Sequence, residues 1–345
     1  MCRTNRGRPR GDREGLVRVL VVCNLLAGPF VSDVYDLAHA LGHHECEVVL
    51  RYFNGQGPLA DLVHDAKDFD RIVAAGGDGT VSGLAYALRD SGVPLVASPS
   101  GTANLIAAYL RMPLDPMRLA AIILRGKHLD LDIGELTHMG SLEPLPPEER
   151  KGFMLAAGAG FDAAIMEAAK PLKSSMGVLA YVAGIMQNLA PTHSTFRIVL
   201  DGREISTDGI AVLVVNTGKV QFDLSITHSS DPRDGRLEVA IVRSKTAVGL
   251  LPAVWDALLD KVVERPERGP LVIEPAREVL VEADPPLRLQ YDGEVIDCTT
   301  PFGVRVLPGA ARFMVAETSP VGAADPGANG RARALPPFGR RNGSQ

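Results

Sequence analysis

Short apolar runs alternate with helically spaced segments over the first third of the chain. Residues 16–23 are apolar and β-branched, which predicts a strand buried on both faces. Asn24-Leu25-Leu26-Ala27-Gly28-Pro29 breaks it, and helical spacing follows over 31–41, where Ser32 or Asp33 can cap. Further strands are predicted at 46–53, 71–75 and 93–97, and helices at 59–66, 81–88, 103–110 and 117–124. Alternating strands and helices joined by short loops argue for a parallel sheet with helices on both faces.

From Lys127 the period changes. Residues 129–136 alternate as a half-exposed strand does. A Pro- and Glu-rich loop (140–150), a strand (153–157) and two helices (163–169 and 176–189) follow. Short strands then dominate, at 195–200, 209–216, 224–227, 237–242, 271–274, 278–282, 287–291 and 304–307, interrupted by one helix at 247–262. The predicted fold is α/β plus β, with an N-terminal α/β nucleotide-binding domain over 16–130 and an antiparallel β domain over 131–303. Residues 1–15, rich in arginine, and 316–345, rich in Gly, Ala, Pro and Arg, read as disordered tails.

Two glycine loops carry the candidate chemistry. The strand at 71–75 runs into Gly76-Gly77-Asp78-Gly79-Thr80 and then a helix. Strand, glycine loop and helix bring backbone N–H groups and a helix N-terminus close to a phosphate. Glycine suits such a loop because a Cβ would block close approach or forbid positive φ. A carboxylate in that position repels phosphate unless a metal ion or a water shell stands between them, so Asp78 points to a nucleotide bound with Mg²⁺. The strand at 93–97 ends in a second such loop, Ser98-Pro99-Ser100-Gly101-Thr102. Ligands of parallel sheets sit beyond the carboxyl ends of the strands, so both loops can face one crevice.

Composition narrows the class. Of 345 residues, 46% are hydrophobic and 22% charged, which is enough apolar material for two cores. A net charge of −5 speaks against nucleic acid as a partner. The four cysteines, Cys2, Cys23, Cys46 and Cys298, have neither disulfide-framework nor zinc spacing and suit a reducing cytoplasm. No apolar run approaches the ~18 residues of a transmembrane helix, and no secretory h-region precedes Leu16. Neither G-x-x-x-x-G-K-[ST] nor a protein-kinase lysine set occurs, and the first turn lacks G-x-G-x-x-G.

Gly76-Gly77-Asp78-Gly79-Thr80, followed about 20 residues on by Pro99-Ser100-Gly101-Thr102-Ala103-Asn104, resembles the diacylglycerol kinase catalytic-domain family, which includes bacterial lipid kinases and sphingosine kinases. Asp132-Ile133-Gly134, 157–163, 177–181, Asn216-Thr217-Gly218, 234–237 and Asp292-Gly293-Glu294 extend the likeness over about 16–315. The resemblance implies a phosphofructokinase- and NAD-kinase-like α/β domain and a β-sandwich domain. The last strand, 304–315, would return to the first domain. ATP would lie between the domains, against Asn24, Gly76, Gly77, Asp78, Gly79, Thr80, Gly101, Thr102 and Asn104. Asp78 and Asp132 would hold the catalytic Mg²⁺ through water, and Asp234 a structural Mg²⁺. Asp292 would be the general base for a lipid hydroxyl, supported by Glu294. The implied enzyme is cytoplasmic and peripheral to the membrane, phosphorylating diacylglycerol or a related lipid there. Edge strands of the β domain offer a route to a homodimer.

Plainer readings stand beside these. Asp292-Gly293 and Asp234-Gly235 are also hairpin-turn dipeptides, and Asp130 shares the face of Asp132 as a surface charge. The helix at 171–189, with Lys170 and Lys173 at its edge, is either a core helix or a lipid-facing one. The family's first loop reads N-P-x-S-G, whereas Leu25 and Ala27 stand here, and Leu105 replaces a frequent aspartate. A NAD kinase-like phosphotransferase with a soluble acceptor and a non-catalytic nucleotide- or lipid-sensing relative are the alternatives.

Overall fold

The computed structural model describes residues 16–27, 31–160, 192–217, 219–220, 224–225, 231–243 and 271–317. The helices expected at 163–169, 176–189 and 247–262 lie outside these residues, as do residues 1–15 and 318–345.

The α/β half runs β1 (Val17–Asn24), α1 (Val31–Gly42), β2 (Cys46–Phe53), β3 (Arg71–Gly76), α2 (Asp78–Leu88), β4 (Leu95–Pro99), α3 (Leu105–Tyr109) and α4 (Pro116–Arg125). Its strands pair in parallel in the order β2-β1-β3-β4. Val19 to Val22 have no exposed surface, as a central parallel strand covered by helices on both faces requires. The α4 start follows its sequence closely. Asp115 caps it by accepting the Arg118 amide at 2.8 Å, and Pro116 occupies the first turn, where no N–H is needed.

The expected helix over 59–66 is instead two 3₁₀ turns, Leu59–Val63 and Ala66–Asp68. Arg51 on β2 takes the Leu62 carbonyl at 2.6 Å and grips both oxygens of Asp65 at 2.6 Å. These bonds hold the segment flat against β2, where a continuous α-helix would have to turn Asp65 away.

The second half contributes β5 (Lys127–Met139), β6 (Lys151–Phe153), β7 (Ala156–Ala159), β8 (Ser194–Leu200), β9 (Arg203–Gly209) and β10 (Ala211–Val215). It continues with β11 (Lys219–Val220), β12 (Leu224–Ser225), β13 (Leu237–Val242), β14 (Leu271–Ala276), β15 (Glu278–Asp284), β16 (Arg288–Tyr291), β17 (Glu294–Thr299) and β18 (Phe302–Val315). An antiparallel six-stranded sheet has the order β14-β13-β10-β7-β16-β17. It packs on β8, β15 and β18, with Phe196, Ile198 and Val281 on one side of the core and Val212, Val214 and Ile241 on the other. The alternation of buried and exposed residues along β8 fits one face of such a sandwich.

β18 is longer than the apolar pattern predicts. It begins among the antiparallel strands beside β15 and ends beside β4, paired in parallel through Phe313 and Leu95. A bulge at Leu307 to Ala311, containing Pro308 and Gly309, bends it between the two halves. One ten-stranded sheet therefore carries both the parallel strands and one layer of the sandwich.

Candidate active-site cleft

β1, β3 and β4 end side by side, and the loops beyond their carboxyl ends form one wall of a cleft. Asn24 closes β1. Its Nδ2 donates to Thr80 Oγ1 at 2.8 Å, and its Oδ1 accepts the Leu26 amide at 3.0 Å. Thr80, on the first turn of α2, packs on Gly76, where a Cβ would come within 2.6 Å of Thr80 Oγ1. The two glycine loops touch. A Cβ on Gly101 would lie 2.4 Å from Gly77 Cα. Asn104, in the left-handed region at φ +51°, closes the second loop by accepting the Gly101 amide and donating to the Gly101 carbonyl, both at 2.8 Å. Asp78 Oδ1 accepts the Ile106 amide at 2.9 Å and ties the first loop to α3.

Of the two reasons for glycine, close approach applies at Gly76 and Gly101, since none of Gly76, Gly77, Gly79 and Gly101 has positive φ. Gly77 and Gly79 differ. The nearest atom to a Cβ on either would be 3.6 Å away, an ordinary contact. The protein has room for side chains there, and their absence leaves the loop surface open to the cleft.

The opposite wall is the β16–β17 hairpin. Asp292 and Gly293 form its turn with φ +46° and +82°, the two consecutive positive angles of a type I′ turn. The turn reading is therefore correct as geometry, and the same turn lines the cleft. The Asp292 carboxylate sits in an arch of backbone amides. Met154 donates to Oδ2 at 3.1 Å, and Leu155 and Ala156 donate to Oδ1 at 2.8 and 3.3 Å. This arch explains why the predicted strand over 153–157 is split into β6 and β7: the backbone bends at Met154 and Leu155 to aim three N–H groups inward. Enclosure raises the Asp292 pKa to about 6, and the Ser82 side chain and the three amides oppose the rise. Ser82 Oγ lies outside strict hydrogen-bonding geometry to the carboxylate, so its effect is that of a nearby dipole. Glu294 heads β17, exposed, with Oε1 above Gly79.

Between these walls is a cleft of about 1020 Å³. Asn24, Gly77, Asp78, Gly79, Thr80, Gly101, Thr102, Asp292 and Glu294 all line it. Gly76 and Asn104 lie behind the loops and set their shape. Asp132 and Asp234 are not brought to the cleft. Asp132, on β5, is buried with both oxygens occupied, Oδ1 by the Gly309 amide at 2.7 Å and Oδ2 by the Gly235 amide at 2.8 Å. Asp234 accepts the Arg236 amide at 2.8 Å and lines a separate cavity of about 520 Å³ with Arg233, Arg277 and Arg305. Burial raises the pKa of both aspartates, and the charge of Asp132 adds to the rise at Asp234. Among the described residues no group of three or more His, Cys, Asp or Glu is arranged to hold a metal. Asp130 is a surface charge paired with Arg312 at 2.8 Å.

The sequence reading missed part of the wall. Ser82 and Tyr86 line the cleft on the same face of α2 as Asp78, at i+4 and i+8, and Arg89 follows at i+11 as the residue just past its end, a spacing that could have found them. Arg150 and Lys151 enter from the start of β6, and nothing in their local pattern marked them. Behind them Glu135, buried on β5, accepts from Tyr86 Oη at 2.7 Å and Arg305 Nε at 2.6 Å, with Arg150 at 3.4 Å. Burial and the Glu135 bond push the Tyr86 pKa up to about 12, so it stays a neutral donor.

Residues 18–136 match the family model described as the Diacylglycerol kinase catalytic domain, and 156–315 the YegS C-terminal NAD kinase beta sandwich-like domain. The chain thus carries a diacylglycerol kinase catalytic domain followed by a YegS-type C-terminal domain. An uncharacterized protein of Synechocystis is 31% identical over 251 residues, covering 69% of this chain and 53% of that protein. The chain thus spans about half the length of that relative. A diacylglycerol kinase of Mycobacterium tuberculosis is 27% identical over 252 residues, covering 72% of this chain and 78% of that protein. A crystal structure of a diacylglycerol kinase from Bacillus anthracis superposes with a TM-score of 0.65 at 20% identity, covering 86% of this chain and 96% of that one, and so shares its fold. Among the described residues no helix is long and apolar enough to cross a membrane.

Proposed function

We propose that this protein is an ATP- and Mg²⁺-dependent lipid kinase that transfers the γ-phosphate of ATP to a hydroxyl of diacylglycerol or a related lipid at the membrane surface. The observation that carries the reading is the meeting of two interlocked glycine loops and an amide-held carboxylate across one cleft. The loops fit a triphosphate: Gly77 and Gly79 present bare backbone to the cleft at the N-terminus of α2. Of the aspartates assigned to metal, Asp78 lines the cleft and suits a water-mediated Mg²⁺, whereas the oxygens of Asp132 are occupied elsewhere. Bound Mg²⁺ would supply charge neutralisation at the phosphates.

Phosphoryl transfer asks a protein mainly for positioning and charge stabilisation. In the proposed reaction the lipid hydroxyl oxygen bonds to the γ-phosphorus as the bond from that phosphorus to the β-phosphate bridging oxygen breaks. The hydroxyl proton passes to Asp292, and ADP leaves. A carboxylate titrating near 6 is ionised at neutral pH yet basic enough to take that proton. Arg89, Arg150 and Lys151 add positive charge to the cleft wall where phosphate charge builds up.

The test is incubation of purified protein with Mg²⁺ and γ-labelled ATP against dioleoylglycerol, ceramide, sphingosine and monooleoylglycerol in vesicles, with NAD as a soluble control. Label is expected in a lipid product. Label in NAD alone, or in no acceptor despite nucleotide binding, would refute the proposal.

A further inference from the structure

The arch that holds Asp292 is itself held. The Met154 carbonyl, on the far side of the arch, accepts from Asn216 Nδ2 at 3.0 Å and from Thr217 Oγ1 at 2.9 Å. The Leu155 carbonyl accepts the amides of Asn216 and Thr217 at 2.8 and 3.2 Å. Asn216 Nδ2 also donates to the Asp132 carbonyl at 2.8 Å, anchoring the pair to β5. The Asp292 amide returns to the Ala156 carbonyl at 2.8 Å. Asn216 and Thr217 are both buried and neither lines the cleft. They follow directly on β10, so a strand of the sandwich core sets where the three N–H groups point.

We propose that Asn216 and Thr217 are positioning residues for the reaction, fixing the Met154-Leu155-Ala156 backbone so that its amides hold the Asp292 carboxylate at the cleft. The inference rests on the reading of Asp292 as the base. Four hydrogen bonds reach two consecutive carbonyls, 154 and 155, whose own residues turn their amides the opposite way, toward one carboxylate. Two polar side chains spent on that bend are otherwise unexplained, because an uninterrupted strand over 153–157 would satisfy these carbonyls by ladder pairing.

The sign of the pH effect follows. Amide donors favour the ionised carboxylate, so a slackened arch raises the pKa of Asp292 further above the carboxyl range. The base is active when ionised, so the acidic limb of kcat/KM moves to higher pH. The other titratable or charged groups lining the cleft with Asp292 are Tyr291 and Glu294 on its hairpin, Asp78 and Tyr86 on α2 with Arg89 just past its end, and Glu148, Arg150 and Lys151 leading into β6. All are unchanged in the variants that follow.

Thr217→Val removes one hydroxyl donor at nearly constant volume, Thr217→Ser restores it, and Asn216→Ala removes the second donor. On the lipid that accepts label, Thr217→Val should lower kcat about five- to tenfold, as loss of a buried hydrogen bond implies. KM for ATP should stay within twofold, the acidic limb should shift up by about half a pH unit or more, and Thr217→Ser should recover most of both. Hydrogen exchange gives a readout free of turnover: the Leu155 and Ala156 amides should exchange faster in Thr217→Val than in wild type. An unshifted limb with unchanged exchange at Leu155 overturns the inference, even if kcat falls. Asp292→Asn separates the two claims. If it retains turnover, the base assignment fails and this inference with it. If it is inactive while Thr217→Val matches wild type, the inference alone fails.

Discussion

Asp132 and Asp292 are each gripped by backbone amides, but Asp132 is buried whereas Asp292 is only half-buried and faces the cleft. The donors differ in kind. Those on Asp132 come from Gly235 and Gly309, both at positive φ, one in a tight turn and one at the β18 bulge. Both of its oxygens are used to staple two irregular backbone segments to β5, leaving a closed structural knot. The donors on Asp292 come from one continuous bend, 154–156, and it is Asp292 itself that takes the positive φ. That puts the carboxylate at the apex of a hairpin, with the amides behind it and the cleft beside it. Amides alone therefore do not distinguish the carboxylate proposed as the base; the side left open does.

Removing each carboxylate sharpens the contrast. Asp292→Asn should cut kcat on a lipid acceptor by about 10³-fold, within the range of a lost general base, while calorimetry finds ATP affinity within threefold of wild type. Equal loss of nucleotide binding would make Asp292 a structural residue like Asp132. Asp132→Ala strands the Gly235 and Gly309 amides and should lower unfolding free energy by about 2–4 kcal/mol. Denaturant titration measures this, and kcat should change by less than threefold at a temperature where the variant is folded. A dead but fully stable Asp132→Ala would mean that its carboxylate reaches the chemistry after all.

The smallest effect concerns the facing wall. Gly101→Ala drives a methyl into Gly77 Cα and should part the loops, raising KM for ATP about tenfold, or about 1.4 kcal/mol. Gly79→Ala meets only ordinary contact within the protein. If it leaves thermal stability unchanged while weakening ATP binding threefold or more, the bare surface at Gly79 is there for the ligand.

The parallel sheet, both glycine loops and the Asp292-Gly293 turn could be read from the sequence because each depends on neighbours in the chain. What the sequence hid depends on partners far along it. The alternation around Asp132 says that the side chain points to one face, but not that Gly235 and Gly309 wait there. The run 153–157 is apolar throughout, so the bend at Met154 and Leu155 leaves no mark. β9 and β17 carry mixed exposed positions that blur a strand signal. In β18, Pro308-Gly309 reads as a terminator when it is a bulge.

β18 also has a consequence for how the molecule is made. The strand that completes the parallel sheet beside β4 comes after the whole β-rich half in the chain, so β1 to β4 emerge long before their sheet can be finished. Until residue 313 arrives, the β4 edge offers unpaired backbone groups to any other strand in reach. A nascent chain halted near residue 300 would thus carry both glycine loops and the Asp292 turn, and still show a sticky margin on the very sheet that supports them.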